Sequence, residues 1–107
     1  MGFKLSRIDI LSEKLIEFVA RHASRIKYDQ RKLQIITGQS LYPIAQDVIK
    51  AVSSEIVRVN SGLLYCNICR KGPYTKRGMY LHLIRVHRYE LKLMIEDELR
   101  ERLSKAL

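Results

Sequence analysis

The sequence predicts a mostly α-helical protein in which N-terminal helices pack with one small ββα unit and a long C-terminal helix. Apolar residues recur at three- and four-residue steps over residues 8–27 and again over residues 88–107, the periodicity of amphipathic helices. Between these segments, residues 66–87 hold cysteines and histidines at regular spacing. The 107 residues suffice for one domain or a small domain with an appendage. We therefore divide the chain into a helical N-terminal region (1–60), the cysteine–histidine unit (61–88) and a C-terminal amphipathic helix (89–107).

The first helix is predicted over residues 8–27. Its apolar face contains Ile8, Leu11, Leu15, Val19 and Ile26, with charged residues opposite. His22 falls on the apolar side, where a single histidine is expected to be a packed core residue rather than a ligand.

Residues 30–57 are predicted to form two further helices. Asp29 is suited to cap a short helix over residues 30–37, and Gly38 is suited to end it. A strand over 32–37 is the competing interpretation. Pro43 fits the first turn of a third helix that ends at about Val57. Two helices around a glycine-containing turn also allow a DNA-reading helix-turn-helix, but we favour a packing scaffold.

A single motif, C-x2-C-x12-H-x4-H, uses both cysteines and two of the three histidines of the chain. Two thiolates and two imidazoles are the ligands of tetrahedral structural zinc sites. We therefore predict that Cys66, Cys69, His82 and His87 bind one Zn(II) per chain. The alternatives are unpaired core cysteines with surface histidines, or a Cys66–Cys69 redox pair, and neither accounts for the histidine spacing.

This stretch, about a fifth of the chain, resembles the CCHH (C2H2-type) zinc-finger family. Leu64, Pro73 and Met79 stand where the family has two aromatic residues and a leucine, and Tyr65 and Tyr74 lie one residue away from those places. The resemblance implies a hairpin over 63–69 with a turn at 70–73, followed by a helix from Thr75 or Lys76. Small single-finger proteins of archaea and their viruses are similar, and they are often presumed to be DNA-binding regulators.

The spacing of the histidines predicts a break in the helix that carries them. Residues on a helix advance by about 100° each, so histidines five apart point about 140° away from one another. Both reach one zinc only if the backbone loosens between Leu83 and Arg88. The C-terminal helix then leaves with a kink, which directs its Leu91–Leu103 stripe toward the N-terminal helices or toward a protein partner, including a second copy in a homodimer.

Positive charge is concentrated on the motif. The whole chain carries +9, and residues 66–92 alone contain seven basic residues and one acidic residue. Such a patch attracts polyanions. The residues predicted to contact nucleic acid, through phosphates or through tyrosine stacking, are Arg70, Lys71, Tyr74, Lys76, Arg77, Arg85 and Arg88.

Base reading by this helix is predicted to be limited. In DNA-reading fingers, helix positions −1, 3 and 6 contact bases, and here these are Thr75, Gly78 and Leu81. None of them offers the bidentate hydrogen bonds that distinguish guanine or adenine. The expected function is therefore backbone-dominated binding of DNA by a transcription-related factor. Structured RNA is the alternative nucleic acid, and a zinc module that binds only proteins is the alternative class.

Other function classes are not supported by the sequence. Four protein ligands close a zinc site, whereas catalytic zinc keeps an open position, so we do not expect an enzyme. No apolar run approaches a membrane span. Two cysteines at metal-binding spacing fit a reducing, intracellular location such as the cytoplasm or nucleoid.

Overall fold

The computed structural model describes the backbone of residues 2–106 and the side chains of residues 7–105. Helices dominate, and one small antiparallel sheet lies between the second and third helices. In chain order the elements are α1 (Gly2–Ala23), α2 (Gln30–Ile56), β1 (Val57–Asn60), β2 (Leu63–Cys66), α3 (Lys76–Val86) and α4 (Arg88–Ala106). Met1 and Leu107, which end the predicted N- and C-terminal regions, lie outside the described residues.

Helix α1 starts and stops earlier than the predicted range of 8–27. It ends at Ala23 because Arg25 adopts a left-handed conformation with φ 64°. The backbone N–H of Ile26 then bonds the carbonyl of Arg21 at 2.8 Å, and that of Arg25 bonds His22 at 3.1 Å. This pair of bonds is the Schellman arrangement, which usually carries glycine at the left-handed position. Because this position carries arginine rather than glycine, no stop signal is visible in the sequence, and the apolar periodicity predicted a helix that ends too late.

Helix α2 contains both helices predicted for this region. The Asp29 carboxylate accepts hydrogen bonds from the backbone N–H groups of Arg31 and Lys32, at 3.0 and 3.2 Å, as a helix cap does. Gly38, with φ 80° and ψ 167°, interrupts the helix between its two halves. The competing strand over 32–37 is therefore wrong, and the second half ends at Ile56, one residue before the predicted end.

The hairpin predicted over 63–69 with a turn at 70–73 is present only in part, as β2 and one bridge beyond the turn. The paired strands are β1 and β2, in which Val57 lies opposite Cys66 and Asn60 opposite Leu63. Ser61 and Gly62 connect them with φ values of 54° and 81°, as a two-residue hairpin turn with primed geometry requires. Of the expected pairing, the described residues retain only an isolated bridge between Leu64 and Tyr74.

The break predicted between Leu83 and Arg88 occurs at His87, whose φ of −115° and ψ of 19° are not helical. Helix α3 ends immediately before it and α4 begins immediately after it. Leu91, Ile95 and Leu99 on α4 are completely buried, and α4 packs against α1 and α2. The apolar stripe of the C-terminal helix therefore finds its partner within the same chain.

Arg88 and Lys92, at the start of α4, form three ion pairs with Asp9 and Glu13 in the middle of α1. Lys92 Nζ lies 2.6 Å from a carboxylate oxygen of Asp9, and the guanidinium of Arg88 lies 3.1 Å from Glu13. Hydrogen bonding by Lys92 lowers the pKa of the exposed Asp9. Within residues 2–106, no helix has both the length and the apolar character needed to cross a bilayer.

Candidate metal centre

The four predicted ligands come from four different places in the fold and meet at one point. Cys66 ends β2, Cys69 lies in the turn that follows, His82 lies in the second half of α3, and His87 lies at the break before α4. One ligand atom from each residue lies within 4.8 Å of all the others. The cluster can therefore hold one metal ion.

A network of backbone hydrogen bonds fixes the loop that carries the cysteines. The N–H of Arg70 donates to the carbonyl of Cys66, and the N–H of Cys66 donates to the carbonyl of Lys71, both at 2.9 Å. Arg70 turns the chain with φ 66°. These bonds bring the second cysteine back toward the first.

Asn67 attaches the same loop to the end of α2. Its backbone N–H donates to the Ile56 carbonyl at 2.8 Å, and its side-chain amide donates to the Glu55 carbonyl at 3.0 Å. These carbonyls have no partner within the helix, because it ends there. The cysteine loop therefore rests on the helical scaffold rather than on the hairpin alone.

The imidazole of His82 is oriented through both nitrogens. Its Nε2 lies 3.3 Å from Cys69 Sγ, and its Nδ1 lies 3.3 Å from the hydroxyl of Tyr74. The tyrosine ring also stacks on the imidazole, with centroids 4.7 Å apart. An outer partner on one nitrogen fixes the ring so that the other nitrogen can bind a metal.

His87 is oriented in the same way. Its Nδ1 lies 3.3 Å from a carboxylate oxygen of Glu90, whereas its Nε2 is buried without a hydrogen-bond partner. A buried polar atom without a partner is costly, and a metal ion at the cluster would remove that cost. The unpaired Nε2 is the most direct structural indication that the cluster binds a metal.

The local environment changes the pKa of three ligands. Burial raises the pKa of the Cys66 thiol. Burial alone would also raise the pKa of Cys69, but the nearby His87 imidazole and the Lys71 backbone outweigh it and lower that pKa. Burial, with the positive charges of His87 and Lys71, lowers the pKa of His82. A thiolate at Cys69 and a neutral His82 are the protonation states that bind metals.

The residues predicted to contact nucleic acid do not have equal access to solvent. Arg70, Lys71, Lys76, Arg77 and Arg85 are exposed around the centre, and no ion pair is found for them within the described residues. Arg88 is also exposed but is paired with Glu13. Tyr74 is half-buried, and its ring is stacked on His82. Tyr80, on α3, lies under the Arg21 guanidinium at 5.2 Å.

Three residues around the centre were not identified from the sequence. Glu90 follows His87 by three residues, a spacing that puts a carboxylate one helical turn from a ligand. Tyr89 has 70% of its side chain exposed beside the metal centre. Asn67 lies between the cysteines, and its role depends on where α2 ends, which no local pattern shows.

His22 is separate from the cluster. It is half-buried at the end of α1, with its ring 6.1 Å from that of Tyr28 in an edge-on arrangement. Burial, followed by the charges of Arg25 and Lys50, lowers its pKa. Its position agrees with the expectation of a packed residue rather than a ligand.

No protein-family model, no curated protein and no solved structure matches this chain.

Proposed function

We propose that the protein is a small zinc-stabilised nucleic-acid-binding factor of zinc-finger type, with transcription-related DNA binding as its role. The donor set supports zinc, because two thiolates and two imidazoles complete a tetrahedron with no open position. The ββα arrangement is part of this proposal. It would comprise the Leu64–Tyr74 bridge and α3, and the metal would supply the rigidity that one bridge does not.

The observation that carries the proposal is the group of five exposed basic side chains around the centre: Arg70, Lys71, Lys76, Arg77 and Arg85. Cations fixed on a rigid surface neutralise phosphates and release counterions from nucleic acid. Arg88 and Lys92 differ from this group, because acidic residues of α1 already pair with them. Among the described residues of the motif, these five are therefore the basic side chains that no ion pair already neutralises.

Contacts to the phosphate backbone are favoured over base reading. The hydroxyl of Thr75 accepts a hydrogen bond from the Gly78 N–H at 3.0 Å and so caps α3. Gly78 has no side chain, and Leu81 offers only apolar contact. Phosphate contacts position a protein without distinguishing sequences, and we expect them to dominate here. Structured RNA remains the alternative target.

The salt dependence of binding tests the proposal. Fluorescence anisotropy with a labelled duplex should give an affinity that falls with salt by roughly 0.9 log–log units per phosphate contact. Arg77→Ala and Arg85→Ala should each reduce that slope by about one unit and weaken binding equally on unrelated sequences. Lys14→Ala removes the same charge from an exposed site in α1, outside the motif, and is the matched control. A loss confined to one sequence would show base reading instead.

An apolar groove favours a second candidate function, the binding of a protein partner. The groove has a volume of about 660 Å³ and lies between the first half of α1, the middle of α2 and the end of α4. Its apolar lining includes Ile8, Leu11, Ile36, Leu41 and Leu103, and the basic residues Arg7, Lys14 and Arg100 also line it, with no acidic residue. Such a lining suits an amphipathic helix with an acidic polar face. Leu103 brings the end of α4 into this surface.

A synthetic amphipathic peptide with a glutamate-rich polar face tests this candidate. It should bind the wild-type protein and bind more weakly to Leu41→Glu. The new carboxylate in the groove would repel the glutamates of the peptide. A scrambled peptide of the same composition controls for simple charge attraction. Equal binding of both peptides would exclude the groove as a specific helix site.

A further inference from the structure

Five residues form a continuous stripe on the outer face of α3 and α4. They follow one another at four-residue steps and are Arg77, Leu81, Arg85, Tyr89 and Leu93. We call them the outer stripe. The i to i−4 bonding of each helix reaches His87: the His87 N–H donates to the Leu83 carbonyl at 3.0 Å, and the Leu91 N–H donates to the His87 carbonyl at 2.9 Å. The outer stripe therefore has one part on α3 and one part on α4, and the two parts meet at His87.

The outer stripe faces away from the core. Met79, Leu83, Leu91 and Ile95, on the opposite face of the same helices, are completely buried. In contrast, the exposed fractions are 70% for Tyr89, 42% for Leu93 and 59% for the adjacent Val86. Packing among the described residues therefore leaves these aromatic and apolar side chains exposed.

Tyr89 differs from the other tyrosines near the centre. The ring of Tyr74 stacks on His82, while Tyr65 and Tyr80 lie under the guanidinium groups of Arg58 and Arg21. Within the described residues Tyr89 makes no ring contact and no hydrogen bond. It is therefore the tyrosine best placed to receive an external ring.

The charge around Tyr89 is positive on the side of the metal centre. Arg85 precedes it by one helical turn, and Arg77 lies two turns further back. The carboxylate of Glu90 already pairs with Nδ1 of His87, at 3.3 Å. Asp97, one turn beyond Leu93, is exposed and marks the end of the surface that attracts an anion.

We propose that the outer stripe binds single-stranded nucleic acid, with phosphates on Arg77 and Arg85 and an unpaired base stacked on Tyr89. Cationic side chains that follow a backbone, alternating with an aromatic ring that accepts a base, are the general features of single-strand binding. A base within a duplex is already stacked on both faces, so Tyr89 gains nothing from it. This inference rests on the proposed function and makes it more specific, because it predicts a preference for unpaired strands.

The chain contains no tryptophan, which allows a direct test of base stacking. Tyr89→Trp introduces a single tryptophan at the proposed stacking site, and its emission can be excited apart from that of the tyrosines. Its emission should be quenched by a single-stranded oligothymidylate or oligouridylate of about twelve nucleotides, a length within known single-strand sites. A duplex of the same length should quench it much less. Ile35→Trp, at a side chain that is 76% exposed on α2, is the control and should show little quenching with either probe.

Alanine and phenylalanine variants separate stacking from charge. Tyr89→Ala should weaken single-strand binding by about tenfold, whereas Tyr89→Phe should bind like the wild type. The dependence on salt should remain the same in both variants, because neither changes a charged group. The exposed position of Tyr89 makes both substitutions compatible with folding.

The outcomes distinguish this inference from the proposed function. Absence of binding to any strand at low salt would refute the proposed function itself. Salt-dependent binding that Tyr89→Ala leaves unchanged, with no quenching of Tyr89→Trp, would preserve the proposed function and overturn the stacking site. A change in Tyr89→Trp emission that depends on protein concentration alone would assign the stripe to self-association and would also overturn it.

Discussion

At the scale of single residues, the candidate centre depends on the orientation of its histidines as much as on the ligands. Tyr74 contacts Nδ1 of His82, and Glu90 contacts Nδ1 of His87, so that both Nε2 atoms are left for the metal. The four ligands were identified from spacing alone, because few sites other than a metal centre require cysteines and histidines in that pattern. Tyr74 and Glu90 could not be identified as their partners from the sequence, since tyrosine and glutamate are common at any helix surface.

Substitution of Glu90 tests its role as a partner of His87. Glu90→Ala should lower the affinity for Zn(II) by about tenfold, because outer partners fix the imidazole and increase its basicity. Glu90→Gln retains an acceptor oxygen and should lose less. Competition with a chromophoric chelator measures both, and Glu101→Ala, at the far end of the same helix, is the control. Equal affinities for Glu90→Ala and the wild type would mean that the 3.3 Å contact does not support the ligand.

At the scale of elements, the predictions succeeded where a local cause was visible in the sequence. Asp29 and Gly38 marked the ends of the first half of α2, and the five-residue histidine spacing required the break at His87. The β1–β2 hairpin was not predicted, because the family resemblance drew attention to residues 63–73. The alternation of Val57 and Val59, followed by a two-residue turn at Ser61 and Gly62, is the stronger hairpin signal.

Gly38 determines the angle between the two halves of α2. Its combination of φ 80° and ψ 167° is essentially restricted to glycine, although an added Cβ would meet no atom within 4 Å. Gly38→Ala should therefore lower the free energy of unfolding by about 1–3 kcal/mol through backbone strain alone. Gly62→Ala is the matched control, because its site is equally open and its φ of 81° is positive. Its expected cost, about 1 kcal/mol, is that of an ordinary left-handed residue.

Urea denaturation of the two alanine variants provides the measurement. A larger loss for Gly38→Ala than for Gly62→Ala would confirm that ψ near 167°, and not positive φ alone, imposes the strain. Equal losses would show that α2 can straighten at residue 38.

At the scale of the whole molecule, the candidate metal centre packs against a core that the helices form. Cys66, Met79 and Leu83 belong to the same buried cluster as Leu15, Val19 and the other core residues of α1 and α2. The amphipathic periodicity predicted these helices and the stripe of α4, but it could not choose between α1 and a second copy of the chain as the partner of that stripe. That choice depends on the direction in which α4 leaves His87, and the pairing of Lys92 with Asp9 follows from it.

Removal of the metal should therefore loosen one part of the protein and leave the rest folded. An isolated finger cannot bury enough apolar surface to fold alone. Here, however, Leu15, Ile49 and Ile95 are buried at 0% exposure among α1, α2 and α4, which contribute no metal ligand within their ranges. Chelation of Zn(II), or Cys69→Ser, should increase amide hydrogen exchange across residues 63–87 while those three helices keep their protection. Cooperative loss of protection in α1 and α2 would instead show that the metal stabilises the entire fold.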